Sequence, residues 1–196
     1  MLLSQSMDTA SHRVRPLLRT EYDQLVDAGA FGQERIQLLE GELIEMSPQK
    51  ELHAGMIVRL TRLFSAALAD RCDVRVQLPL AATIDSEPEP DIAIVPRRDD
   101  FAPHPQSALL VVEVAGDSLS IDLGVKARIY ARAGVPEYWV LDLSGRRVIV
   151  HRRPNRKAGQ FASVRTLEPG STLVPLKFRK LHLSVDFLTV GGRAKH

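Results

Sequence analysis

A single cysteine, Cys72, among 196 residues excludes an intramolecular disulfide and any multi-cysteine zinc site, and it points to a reducing cytoplasm. Long apolar runs are missing as well. The longest, Ala108 to Val112, falls far short of the roughly 18 to 20 residues that cross a bilayer, so no membrane association is expected. Met1 to Ser11 show no basic start followed by an apolar stretch, and no export signal is expected there. Also lacking are a phosphate-cradling glycine loop, a Gly-x-Ser-x-Gly elbow and a His-Glu-x-x-His helix. Their absence leaves a hydrolase of small phosphate or acyl compounds without support and gives no reason to expect an organic cofactor.

What remains has globular proportions, with 44% hydrophobic and 26% charged residues. At roughly 100 to 200 residues per domain the length predicts one domain, expected over 19–190 with flexible segments at 1–18 and 191–196. The net charge of +2 hides an asymmetry: residues 143–196 carry 12 Lys/Arg against Glu168 and Asp186. Such a basic segment reads either as a polyanion-facing side or as a solvated hairpin balanced in three dimensions.

Hydrophobic periodicity orders the elements. A short helix is expected from Glu21 to Ala28, then a hairpin of Arg35 to Leu39 and Glu42 to Met46 joined by Glu40-Gly41. Leu52, Met56, Leu60, Leu63, Phe64, Ala67 and Leu68 keep the 3.6-residue period of a long helix from Glu51 to Asp70. Val74, Val76 and Leu78 alternate as a strand that Ala82 to Ile84 continue or pair with, and Ile92 to Val95 form another. Leu109 to Val114 is a strand buried on both faces, and Asp122 to Ala133 a second helix closed by Gly134 and Pro136. Glu137 to Leu143 and Arg146 to Arg152 pair through Ser144-Gly145, and Pro154-Asn155 signals a further turn. This order predicts an α/β (α+β) fold, a mixed sheet flanked by helices.

Three residues stand out. Glu113 interrupts a core strand, where an unpaired carboxylate costs several kcal/mol, so it either reaches solvent at the strand's end or meets a partner. Lys126 falls inside the apolar stripe of Leu123, Ile129, Tyr130 and Ala133, while Arg128 and Arg132 lie on the far side. It reads as a lysine snorkelling to the sheet edge, as an i, i+4 pair with Asp122, or as a functional ammonium. Asp91 opens a short apolar strand 22 residues before Glu113. If the two strands are neighbours, the carboxylates meet at one end, a hard-cation site of the kind Mg²⁺ uses with waters and a phosphate.

Pro90-Asp91 with Glu113 in Val111-Val112-Glu113-Val114 resembles the PD-(D/E)XK nuclease signature, with Ala115 where that signature has its lysine. Longer blocks sharpen this. Leu39-Glu40-Gly41-Glu42-Leu43-Ile44-Glu45-Met46-Ser47-Pro48 with His53, then Pro90-Asp91, Asp122 with Lys126, Tyr130-Ala131 and Gly134-Val135-Pro136-Glu137-Tyr138-Trp139 are similar to the Uma-two family of candidate restriction endonucleases. The resemblance implies a restriction-endonuclease-like mixed sheet, a homodimer, and Mg²⁺ with Mn²⁺ as substitute. It implies Asp91 and Glu113 as metal ligands, Lys126 as the catalytic lysine moved to the helix, and Glu42 as an acidic site residue. His53 reads equally as a core histidine or a site contact, whereas Tyr138 and Trp139 read as packing. Ala115-Gly116-Asp117-Ser118 replaces the family's usual Ser-Pro-Ser-Thr-like turn, and Asp117 adds a negative charge near the expected phosphate path.

The expected function is a Mg²⁺-dependent DNA endonuclease, with a non-catalytic nucleic-acid-binding or interaction module on the same fold as the alternative. The first predicts metal-dependent cleavage, and the second predicts DNA retention that weakens steeply with salt.

Overall fold

The computed structural model of the protein describes residues 15–68, 71–99 and 103–188. Apart from 15–18, the segments expected to be flexible at the two ends lie outside these residues. Among the described residues no helix is long and apolar enough to cross a membrane.

The chain opens with helix α1 (Arg19–Asp27), whose Tyr22 is buried and donates its hydroxyl to Ile36 O at 2.7 Å. The helix starts two residues before the expected Glu21. The Glu21 carboxylate accepts from Leu18 N at 2.8 Å and closes the first turn. Strands β1 (Ile36–Leu39) and β2 (Glu42–Glu45) form the hairpin, with Glu40 and Gly41 both at positive φ, 50° and 82°, as a two-residue primed turn requires. Helix α2 (Glu51–Leu68) follows.

The main sheet has the order β3-β4-β5-β6-β7-β8, made of β3 (Cys72–Val76), β4 (Ile92–Pro96), β5 (Leu110–Ala115), β6 (Glu137–Asp142), β7 (Arg147–Asn155) and β8 (Gln160–Leu167). Only β5 and β6 run parallel, because the helical crossover between them returns the chain to the same end of the sheet. That crossover is α3 (Leu119–Ile121), a π turn (Asp122–Lys126) and α4 (Ala127–Ala133), capped by Gly134 at φ 78°. Two short strands, β9 (Thr172–Leu173) and β10 (Leu183–Ser184), and a 3-10 turn (Val185–Leu188) complete the described chain.

Alternation along β5 assigns its two faces. Leu110, Val112 and Val114 pack with Met56, Leu60, Phe64 and Leu68 of α2, whereas Val111 and Ala115 pack with Ile129, Tyr130 and Ala133 of α4. Glu113 therefore points to the α4 side.

Three expectations need correction. Ala82 to Ile84 neither extend β3 nor join the sheet: Thr83 bridges Ser86, the Asp85 carboxylate accepts from both hydroxyls, and Leu38 pairs with Glu87, so this turn docks on the hairpin. Pro154 and Asn155 belong to β7, opposite Phe161 and Gln160, and the turn falls just after them. Leu123 leaves the buried stripe and is 37% exposed, because a π turn winds less per residue than an α turn and rotates it outward while Asp122 and Lys126 stay inside.

Candidate functional site

Antiparallel pairing places Ile92 opposite Val112, and the same register carried one step further sets Asp91 opposite Glu113. The two carboxylates thus meet at one end of the sheet, as the sequence had required of neighbouring strands. Asp91 Oδ2 accepts from Val114 N at 2.8 Å, and Glu113 Oε2 accepts from Asp91 N at 3.3 Å. Each side chain is held by the backbone of the other strand.

Helices on both faces reach this end. From the π turn, Lys126 Nζ lies 3.0 Å from Glu113 Oε1 and 3.5 Å from Asp122 Oδ1, and Tyr130 donates its hydroxyl to Glu113 Oε1 at 2.7 Å. From α2, His53 Nε2 lies 3.0 Å from Asp91 Oδ1. Of the residues singled out in the sequence, Asp91, Glu113, Lys126 and His53 come together here. Glu42 stands exposed on β2, and among the described residues no hydrogen bond or ion pair joins it to the group. Tyr138 and Trp139 are core residues: Tyr138 packs on Tyr130 with ring centroids 4.8 Å apart, and Trp139 packs on Phe64 at 6.2 Å.

Sequence reasoning passed over Gln77, whose amide donates to Asp91 Oδ1 at 3.2 Å. Its φ of 50° ends β3 at Val76 and leaves Leu78 45% exposed, against the alternation expected through Leu78. Nothing in the local pattern marks a polar residue that a backbone reversal turns inward. Ser118, which donates to Asp122 Oδ2 at 2.6 Å, was likewise invisible as a site neighbour.

The charges act on one another. Burial opposes the charged form of Lys126, but Glu113, Asp122 and Asp91 outweigh it and raise its pKa. Burial raises that of Glu113, against Lys126 and with Asp122 and Asp91. Asp91, though buried, is held below the usual range by its bonds to His53 and Val114 N, and the same Asp91 bond raises His53 against its own burial. Three buried carboxylates thus face one buried ammonium and one half-buried imidazole.

This donor set fits a hard dication. Carboxylate oxygens are the ligands such an ion prefers, and the surplus of buried negative charge is what it would relieve. Among the described residues no three His, Cys, Asp or Glu side chains are grouped to hold a metal. Asp91 and Glu113 alone would have to hold it, with waters and a phosphate completing the shell, the usual arrangement for Mg²⁺.

The surroundings revise one expectation. Asp117 does not add a bare negative charge: it pairs with Lys50, and both are exposed. Arg128 and Arg132 lie exposed on the far side of the helix, as expected, and both pair with Glu40 of the hairpin turn, at 2.6 and 3.0 Å. Strand direction also locates the basic segment. β7 starts at the candidate end with Arg147 opposite Asp142 and runs away from it, so Arg153, Arg156 and Lys157 lie at the opposite end of the sheet.

Residues 19–186 match the Uma2 family, described as "Putative restriction endonuclease". This chain belongs to the Uma2 family. Among solved structures, its Uma2 fold is similar to "a putative nuclease belonging to DUF820" from Anabaena variabilis ATCC 29413, with a TM-score of 0.70 and 17% identity over 88% of this chain and 97% of that one. No curated protein matches the chain.

Proposed function

We propose that this protein is a nuclease, specifically a Mg²⁺-dependent DNA endonuclease in which Mn²⁺ can substitute, with Asp91 and Glu113 as metal ligands. The observation that carries the reading is the pair of backbone-braced carboxylates with the Lys126 ammonium 3.0 Å from one of them. The Uma2 description and the DUF820 likeness support the same class.

A bound dication would polarise the phosphoryl group and offset the charge that develops on it. Lys126, held charged by three carboxylates, acts as a hydrogen-bond donor and point charge that orients water and steadies the phosphate. It is not a proton acceptor. Tyr130 fixes the Glu113 carboxylate, and His53 with Gln77 fixes that of Asp91. Glu42 joins this set only through a movement of the hairpin or through water. The reading includes a homodimer working in the cytoplasm, where Cys72 stays reduced.

Two observations favour the non-catalytic alternative: Glu113 Oε1 is already engaged by both Lys126 and Tyr130, and the Glu-x-Lys position is the fully buried Ala115. Supercoiled plasmid and single-stranded DNA, incubated with a Mg²⁺ and Mn²⁺ series, separate the two. Nicking that disappears in folded Asp91→Ala and Lys126→Ala variants is expected. Cleavage unchanged in both variants would overturn the assignment, and salt-sensitive retention with no cleavage by any ion would favour a binding module.

A further inference from the structure

Asp122 is 1% exposed, and its carboxylate has two different ends. Oδ2 accepts from Ser118 Oγ at 2.6 Å, whereas Oδ1 is buried without a hydrogen bond, 3.5 Å from Lys126 Nζ. Its backbone carbonyl accepts from Tyr138 OH at 2.9 Å, so the residue is anchored at both side chain and main chain. The π turn keeps Asp122 and Lys126 on one inward face, and such turns recur at functional sites. A buried acceptor whose nearest donor is an ammonium at the limit of hydrogen-bond distance is under-satisfied, and one left so beside an ammonium seated closer to Glu113 asks for a reason.

We propose that Asp122 is a positioning residue for Lys126, the second seat to which the ammonium shifts when a divalent cation takes up Asp91 and Glu113. The inference rests on the metal-site reading above. Its logic is charge matching. Two carboxylates against a dication and a buried ammonium would leave one positive charge in excess before a phosphate binds, and the third carboxylate offsets it. Without an ion, Nζ favours Glu113. With an ion on Glu113, repulsion moves Nζ toward Asp122 Oδ1, where the unmet acceptor waits. The lysine then stays beside the phosphate position instead of competing for the ligand.

The test is a metal titration by calorimetry, with Mg²⁺ alone and with Ca²⁺ alone, on wild type, Asp122→Asn, Lys126→Met and the double variant. Asn keeps the shape and the bond to Ser118 but removes the charge. Asp122→Asn is expected to weaken ion binding roughly tenfold in the wild-type background and less than about twofold beside Lys126→Met, because the residue acts through the lysine. An equal factor in both backgrounds overturns the second-seat role, since Asp122 would then act on the ion directly. No ion binding by folded wild type overturns the metal-site reading and this inference with it. Should Asp122→Asn fail to fold, a crystal structure of wild type grown with Ca²⁺ decides. Nζ nearer Asp122 Oδ1 than Glu113 Oε1 is expected, and Nζ still on Glu113 with the ion present overturns the proposal.

Discussion

Asp91 and Glu113 brace each other across the β4–β5 pair: Asp91 N donates to Glu113 Oε2 at 3.3 Å, and Val114 N, next to Glu113, donates to Asp91 Oδ2 at 2.8 Å. A strand register sets the spacing of the two carboxylates, so it does not depend on loop conformation, and it leaves the outer lone pairs to His53, Gln77, Tyr130 and Lys126. The chemistry expected of this end of the sheet depends on those four contacts.

His53 reports on the bond to Asp91. In metal-free protein its pKa lies above the ordinary 6.5, because that bond outweighs burial. A raised folded-state value means that the stabilisation is fully present below 6.5 and fades as pH rises through the shifted value. In Asp91→Asn the largest raising contribution is lost, Glu113 and Asp122 alone are left against burial, and the His53 value should fall. An NMR titration of the His53 ring in both proteins checks this, and an unmoved value in the variant would mean that the bond is absent in solution.

Glu137 is a structural anchor unrelated to the site. It is 1% exposed and accepts from Trp139 Nε1 at 3.0 Å, Arg152 Nε at 2.8 Å and Leu176 N at 2.6 Å. Glu137→Ala strands three donors at once, but Arg152 is partly solvated. The expected loss is about 2 to 4 kcal/mol in urea unfolding, with Glu137→Gln milder. A loss under about 0.5 kcal/mol, the scale of a surface change, would contradict the buried geometry.

Glu87 gives the fold a pH slope. Burial pushes its carboxyl up to about 7 from 4.5, Asp23 adds to the shift, and Arg19, 3.8 Å away, opposes it. Below 4.5 both states hold the proton. As pH rises from there toward 7 the unfolded chain releases it first, so stability falls over that window. Glu87→Gln should flatten the slope and raise stability at pH 8 by on the order of 1 to 3 kcal/mol. Urea midpoints collected from pH 5 to pH 8 decide it, and parallel curves for the two proteins would assign the slope elsewhere.

If the nuclease reading holds, the basic turn acts at a distance. Glu113 stands level with Ile149 through Val140, so the end of β7 at Asn155 lies six residues, roughly 20 Å, along the strand from the candidate site, a length that a duplex covers in about six base pairs. Arg153→Ala with Lys157→Ala should therefore weaken retention of a 30-base-pair duplex and lower its salt slope by about 1 to 2, while weakening retention of a six-base-pair duplex less. Filter binding across a salt series reads both. Equal effects on the two lengths would place the turn beside the site, against the strand directions.

Local pattern determined much of this protein. Short continuous apolar runs marked the core strands, the 3.6-residue period marked α2 and α4, and Glu113 and Lys126 announced themselves as charges where apolar side chains belong. The blocks from Leu39 to Trp139 carried the family. Periodicity assigns a residue to a face, however, and not to a neighbour. Only tertiary structure decided that Asp91 stands opposite Glu113, since that follows from long-range register. The same holds for His53 and Gln77, which reach Asp91 from 38 and 14 residues away. Strand direction carried the basic turn to the far end, and the π turn put Leu123 outside while keeping Asp122 within. Each depends on how elements meet, which no single segment encodes.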